Sequence, residues 1–279
     1  MSATVLVNGR PEGALSVLER GLHFGDGLFE TIACLKGRAR FLTLHLERLR
    51  QGCERLRIGF GDWGLLRAEV EAMAADAGTA IIKLLLTRGP AMARGYAVRG
   101  DEAATRILLR QPWPVDDPAL GREGVQVRTG TLRLGENPAL AGMKHLNRLE
   151  QVLARAEWQQ SDIHESLLFS SSGRLISGTM TNVFLVRDGG LLTPGVERCG
   201  VQGVMRRVVM REALETGLPM RETELFAADL AAAEEVFLTN ARVGLWPVRA
   251  CDGRALGVGP LTRQLQARLQ PLLEAPADA

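Results

Sequence analysis

The run PWPVDDPALG, residues 112–121, places three prolines and two acids in one short stretch. Proline fixes φ and removes a backbone donor, so neither a helix nor a central ladder strand continues through such a segment. The chain is therefore expected to form two domains: a smaller one over residues 1–113, a linker at 114–121, and a larger one over 122–279. Before the break, TVLV, ALSVL and LFETIACL read as short strands, with Asn8-Gly9 and Lys36-Gly37 as turns. A helix is expected from Thr43 as N-cap, with Leu46, Leu49, Cys53 and Leu56 along one face, and a second over Trp63–Ala75. AIIKLLLT (80–87) and TRILLRQ (105–111) read as strands around a glycine-bearing loop. After the break, GVQVRTGT, ESLLFS, RLIS, TNVFLVRD, PMRETE, EEVFLTN and LWPVRA read as strands. Helices are expected from about 144, from Val204, near 227 and from about Leu261. Hairpins mixed with helices predict an α+β chain, not a doubly wound parallel sheet.

Composition narrows the function. A formal charge of +2, dispersed basic residues and few aromatics leave nucleic-acid binding without support. MSATVLVNGRPEG has no basic start followed by an apolar run, and no segment has the apolar length of a membrane span, so a cytoplasmic protein is expected. Cys34, Cys53, Cys199 and Cys251 are scattered, with no C-x-x-C, which predicts reduced thiols and no metal site.

Two stretches suggest chemistry. The lysines of the chain are Lys36, Lys83 and Lys144. Lys144 stands just before a stripe of Leu146, Leu149, Val152, Leu153 and Ala156, at the spacing of a buried helix face. Spacing alone leaves it open between a solvated lysine and a Schiff-base amine, which must be partly desolvated to lose its proton. In GVQGVMRRVVMREAL (200–214), two glycines lead into a helical pattern, so the N–H groups of Gly203, Val204 and Met205 are candidates for a phosphate cradle or for an ordinary helix start.

AGMKHLNRLEQVLAR, with HFGDGLFET, HLERL, RGY, TNVFLV, CGVQGVMR and EEVFLTNA, resembles the fold type IV pyridoxal-phosphate enzymes in order along nearly the whole chain. Within them it is most similar to the aminodeoxychorismate lyases, for which KHLNRLEQV is a specific mark. The resemblance implies a two-domain fold like that of the D-amino-acid aminotransferases, a homodimer, and pyridoxal phosphate as cofactor. The implied reaction converts 4-amino-4-deoxychorismate to 4-aminobenzoate and pyruvate, in folate biosynthesis. Lys144 matches the lysine that bonds the cofactor and then shuttles protons. Arg48 matches the arginine that grips its phosphate, and Gly203, Val204 and Met205 match the phosphate loop. Asn240 matches a position near the cofactor, while its place at a strand end also suits a turn residue. Arg94 and Tyr96 match the substrate side, where a dicarboxylate needs cations. His145 and Arg148 are read as structural neighbours of the lysine.

One position departs from the pattern. Ser177 stands where most fold type IV enzymes carry a glutamate paired with the pyridine nitrogen, with Thr179 as the nearest alternative partner. A hydroxyl cannot keep that nitrogen protonated, which favours elimination over amino transfer. The other readings are an aminotransferase of D-amino or branched-chain amino acids, and a cofactor-binding protein without turnover.

Overall fold

The apolar run AIIKLLLT becomes the central strand of a five-stranded antiparallel sheet. The computed structural model describes residues 4–11, 14–91, 95–115 and 117–274. They divide into two units: residues up to Pro114 with Met143–Asn147 and Glu274, and residues from Val115 to Gly142 with Arg148–Leu273.

Unit 1 runs β1 (Thr4–Val7), α1 (Arg20–Phe24), β2 (Gly27–Leu35), β3 (Arg38–Ala39), α2 (Leu42–Leu56), α3 (Trp63–Ala75), β4 (Ala80–Thr87) and β5 (Thr105–Pro112), in sheet order β1-β5-β4-β2-β3. Alternation puts Leu28, Glu30, Ile32 and Cys34 of β2 on one face, and all four are buried. That face packs on α2, whose Leu46, Leu49 and Cys53 are buried as their spacing predicted. The approach is close: a Cβ on Gly52 would stand 2.6 Å from a Leu28 methyl. The turn at Asn8-Gly9 has positive φ at both residues, as a tight hairpin requires, but it joins β1 only to a bridge at Arg10. The expected strand ALSVL does not form, because Ala14–Leu18 finds no ladder partner there. Helix α2 begins at Leu42, so Thr43 is not its cap; Phe41 holds that position in a left-handed conformation.

Unit 2 runs α4 (Ala119–Glu123), β6 (Val125–Leu134), α5 (Leu149–Arg155), β7 (Ile163–Ser170), β8 (Leu175–Gly178), β9 (Asn182–Arg187), β10 (Gly190–Pro194), α6 (Val204–Glu215), β11 (Met220–Thr223), α7 (Ala227–Ala232), β12 (Glu235–Asn240), β13 (Gly244–Cys251), β14 (Arg254–Ala255) and α8 (Pro260–Glu274). Its sheet is mixed, in order β11-β10-β9-β12-β13-β6-β7-β8, with β14 on β13. Val125, Val127, Leu167, Val183, Leu185, Leu238 and Val248 meet in its core. The helix α4 lies partly in the stretch expected to be linker; it starts directly after Pro118, a position that tolerates proline because no intrahelical donor is lost.

The stripe after Lys144 is not buried. Helix α5 starts only at Leu149; Leu149, Val152 and Leu153 are 76%, 61% and 61% exposed, Ala156 is exposed, and Ala154 alone of the helix is buried. Periodicity identifies an apolar face without saying what covers it, and here no described segment of the chain does. No helix among the described residues is long and apolar enough to cross a membrane.

Candidate active site

Lys144 belongs to unit 1 and lies on extended backbone, not at a helix start in the C-terminal domain as its sequence suggested. Phe29 N donates to Lys144 O at 2.9 Å and Leu146 N to Gly27 O at 3.0 Å, either side of an antiparallel bridge between Leu28 and His145. Residues 144–146 thereby extend the sheet along one end of the β2 edge, while β3 covers the other end. The Lys144 Nζ stands 4.3 Å from the centre of the Phe29 ring. Lys83 shares that ring, with its Nζ at 5.5 Å.

Behind Phe29, on the helix side of the sheet, Glu30 is completely buried. Its carboxylate accepts from Arg48 Nε at 2.8 Å, from Arg48 Nη2, and from His45 Nδ1 at 2.6 Å. His45 and Arg48 lie three apart on α2 and so share a face. Burial opposes the Glu30 charge, but the Arg48 and His45 partners outweigh it and hold the carboxyl at about 2. Burial pushes His45 below its ordinary value, helped by the nearby positive charges of Arg48 and Lys144 and opposed by Glu30. The ring is therefore neutral, gives its Nδ1–H to Glu30, and leaves Nε2 buried with no hydrogen-bond partner among the described residues.

These two groups make unit 1 acid-sensitive. Both pKa values are depressed on folding, so their stabilisation is full above the unfolded values and lost as pH falls through the folded ones. His45 begins to lose its share below about 6.5, and Glu30 loses its own from about 4.5 down to about 2. Thermal melts from pH 8 to 3 should show Tm falling from the neutral side onward. In a His45→Asn variant the fall should begin nearer pH 4.5; an unchanged profile would contradict a neutral buried His45.

In unit 2, the segment leading to Lys144 pairs with the segment leading to α6. Gly142 N donates to Gly200 O at 3.0 Å and Gln202 N to Gly142 O at 2.9 Å, around a parallel bridge between Gly142 and Val201. Asn182, at the start of β9, donates from Nδ2 to Val201 O at 2.9 Å. Gly203 follows so closely that a Cβ on it would fall 1.9 Å from Asn182 Oδ1. Helix α6 then begins at Val204 with Gly203 as N-cap and no side-chain cap. Its first N–H groups thus open from a helix start that no side chain caps. Thr239, cross-strand from Asn182, is fully buried, and its hydroxyl has no partner among the described residues.

Ser177 is buried in β8, where its hydroxyl donates to Gly178 O at 2.9 Å. The turn after it is clasped by Glu165, a fully buried carboxylate that accepts from Thr179 N at 2.9 Å, Thr179 Oγ1, Met180 N at 3.1 Å and Thr181 Oγ1 at 3.0 Å. The Thr179 hydroxyl is thus committed to Glu165. Asn240 ends β12 as a turn residue, its Oδ1 accepting from Arg242 N at 3.0 Å and Val243 N at 2.9 Å and its Nδ2 reaching Met180 O at 3.4 Å.

Tyr96 is 82% exposed, with its ring 5.2 Å from that of Phe24; Arg94 lies outside the described residues. Sequence reasoning missed Glu30, His45, Lys83 and Glu165. Glu30 had a signal: it is an acid on the apolar face of an alternating strand. No group of His, Cys, Asp and Glu side chains among the described residues is arranged to hold a metal ion.

Residues 27–251 match the model of the amino-transferase class IV family. The chain is 33% identical to the aminodeoxychorismate lyase of Vibrio harveyi over 94% of this chain and 98% of that one. It is 30% identical to a putative branched-chain-amino-acid aminotransferase of Methanocaldococcus jannaschii, over 94% and 92%. Among solved structures it superposes on the 4-amino-4-deoxychorismate lyase of Pseudomonas aeruginosa with a TM-score of 0.94 and 45% identity, over 97% of this chain and all of that one.

Proposed function

The chain belongs to the amino-transferase class IV family, and we propose that within it this protein is a pyridoxal-phosphate-dependent lyase that splits 4-amino-4-deoxychorismate into 4-aminobenzoate and pyruvate. The observation that carries this reading is the pairing of Gly142 with residues 200–202. That ladder fixes the approach to α6 within unit 2, whose open first N–H groups suit the phosphate end of the cofactor. The likeness to the two lyases supports the choice of reaction.

The residues fit the cofactor. The open α6 start at Gly203, Val204 and Met205 supplies backbone donors, and the buried, unpartnered Thr239 hydroxyl suits an anion nearby. Arg48 supplies a guanidinium already oriented by Glu30. Asn240 acts by shaping the turn after β12, and Ser177 lines the ring side. When bound, pyridoxal phosphate supplies an aldehyde for the substrate amine and a ring that accepts the electron pair released at the amine-bearing carbon.

Lys144 then does two jobs. Its amine would hold the cofactor, and when free would take the proton from the amine-bearing carbon of the substrate. The ring double bonds shift, the bond to the enolpyruvyl oxygen breaks with its electron pair, and the proton returned by Lys144 or a water it positions completes that leaving group. Atoms balance: the substrate becomes an aromatic amine and pyruvate, with nothing added or lost. Phe29 shields one side of the Lys144 amine from water. Lys83, half-buried beside the same ring with no hydrogen bond or ion pair among the described residues, supports an anionic substrate. Arg94 and Tyr96 complete the substrate side.

Supplying aminodeoxychorismate to the purified protein and following pyruvate and 4-aminobenzoate together tests the reading. Amino transfer from D-alanine or leucine without formation of 4-aminobenzoate would overturn it.

Ser177 sets the partition. With its proton committed to Gly178 O, it offers the pyridine nitrogen no charge, and amino transfer suffers more from this than elimination. Ser177→Glu should raise the ratio of transamination to elimination about tenfold, a change of ~1.4 kcal/mol between the two barriers. An unchanged ratio would sink this assignment.

The exposed Leu149, Val152 and Leu153 of α5 support a homodimer in which a second copy covers that face. Light scattering should report a dimer, and Val152→Glu together with Leu153→Lys should shift it toward monomer. The folate-pathway reaction supports a cytoplasmic location.

A further inference from the structure

Gly95, Tyr96 and Ala97 belong to no helix or strand, yet their three successive carbonyls converge on one side chain. Arg20 donates from Nη1 to Gly95 O at 3.4 Å and Ala97 O at 3.3 Å, and from Nη2 to Tyr96 O at 3.1 Å. Arg20 is 4% exposed, with its guanidinium carbon 5.1 Å from the centre of the Phe24 ring, the same ring that meets Tyr96.

Its remaining edge is fixed by Asp26, which accepts from Arg20 Nε at 2.8 Å. Asp26 also accepts from Arg88 Nε at 2.8 Å and Nη2 at 3.2 Å. Arg88 in turn donates to Arg57 O and Leu56 O, each at 2.7 Å, where α2 ends. Burial works against the Asp26 charge, but hydrogen bonds from Arg88 and Arg20 outweigh it and hold the carboxyl below its usual range. The clasp stands immediately before Gly27, whose carbonyl receives Leu146 N. It therefore sits at the same end of β2 as Lys144.

We propose that Arg20, locked by Asp26, is a positioning residue for the substrate: it fixes Gly95–Tyr96–Ala97 so that the exposed Tyr96 ring stands as a wall for the cyclic substrate at the Lys144 end of β2. The substrate part rests on the lyase reading above; the loop part does not. Only a planar fork with several donors satisfies three carbonyls and a carboxylate at once, so lysine is no substitute. Arg20 touches no reacting atom, and its loss should weaken binding more than chemistry.

Tyr96 is the only tyrosine of the chain, so protein labelled with 3-fluorotyrosine gives a single fluorine resonance from this loop. In the wild-type holoenzyme that resonance should be displaced from free 3-fluorotyrosine. In Arg20→Lys it should narrow and move toward the free position, while KM for aminodeoxychorismate rises about tenfold and kcat changes by less than about threefold. Arg88→Lys shares Asp26 but not the loop, and should leave the resonance in place. If Arg20→Lys does not fold, Asp26→Asn loosens the same guanidinium from its other edge and carries the same expectations. An unmoved resonance in Arg20→Lys overturns the proposal, as does an equal shift in Arg88→Lys. A moved resonance with unchanged KM overturns the substrate role alone. Absence of 4-aminobenzoate from wild type would instead overturn the lyase reading and leave the fluorine result standing.

Discussion

Alanine in place of Lys144 is expected to give a folded protein with no covalently held cofactor and activity lowered by at least about 10⁴-fold. The proposed roles set that size: covalent capture and proton transfer pass through one amine, and positioned proton transfer alone contributes ~10²–10⁴. Folding should survive because the contacts that place the segment belong to the backbone. Phe29 N to Lys144 O and Leu146 N to Gly27 O are both available to alanine. What is lost is a half-buried side chain over the Phe29 ring. The yellow absorbance of lysine-bound cofactor should vanish, and borohydride should no longer fix the cofactor to the chain, while the far-ultraviolet circular dichroism stays that of wild type. Full activity in this variant would refute the site. Loss of folding would show that the β2 edge depends on the side chain and not on the ladder.

The sequence made the elements with self-contained patterns legible. AIIKLLLT spans β4 end to end, and α6 starts at Val204 because Gly203 ends the preceding turn. The α+β class follows from the order of such segments, and the family from the resemblance of its motifs. The readings that failed depend on distant partners. ALSVL has strand composition but meets no strand, and the α5 stripe is apolar without being covered by its own chain. Lys144 was legible only through resemblance, since its extended backbone is dictated by β2, more than a hundred residues earlier in the sequence. The same distance hid Glu165, whose meaning lies in the donors of residues 179–181. Local spacing registers periodicity; it does not register which carboxylate closes on which turn. Glu30, also missed, differs in having a local signal, because an acid inside an inward-facing apolar row needs a buried partner, and His45 and Arg48 on the facing helix supply it.

Removing that acid is expected to be the most damaging single change in unit 1. Glu30→Gln keeps the shape but leaves the Arg48 charge buried without its counter-ion and turns an amide toward donors on Arg48 and His45. Breaking a buried pair from one side costs about 3–5 kcal/mol, enough to shift Tm by many degrees. It should also raise the dissociation constant for pyridoxal phosphate, because the Arg48 fork loses the carboxylate that sets its plane. The two effects separate in a variant that replaces the whole cluster, Glu30→Leu with His45→Phe and Arg48→Met. Apolar residues of similar volume can substitute for a buried ionic cluster at little cost, so this triple variant should regain most of the stability lost in Glu30→Gln. It should not regain cofactor affinity, since the guanidinium proposed to hold the phosphate is gone. Denaturant melts of the apo forms and spectrophotometric titration with pyridoxal phosphate give the two numbers independently. If the triple variant binds the cofactor as tightly as wild type, the Glu30–His45–Arg48 cluster holds unit 1 together and does nothing for the phosphate.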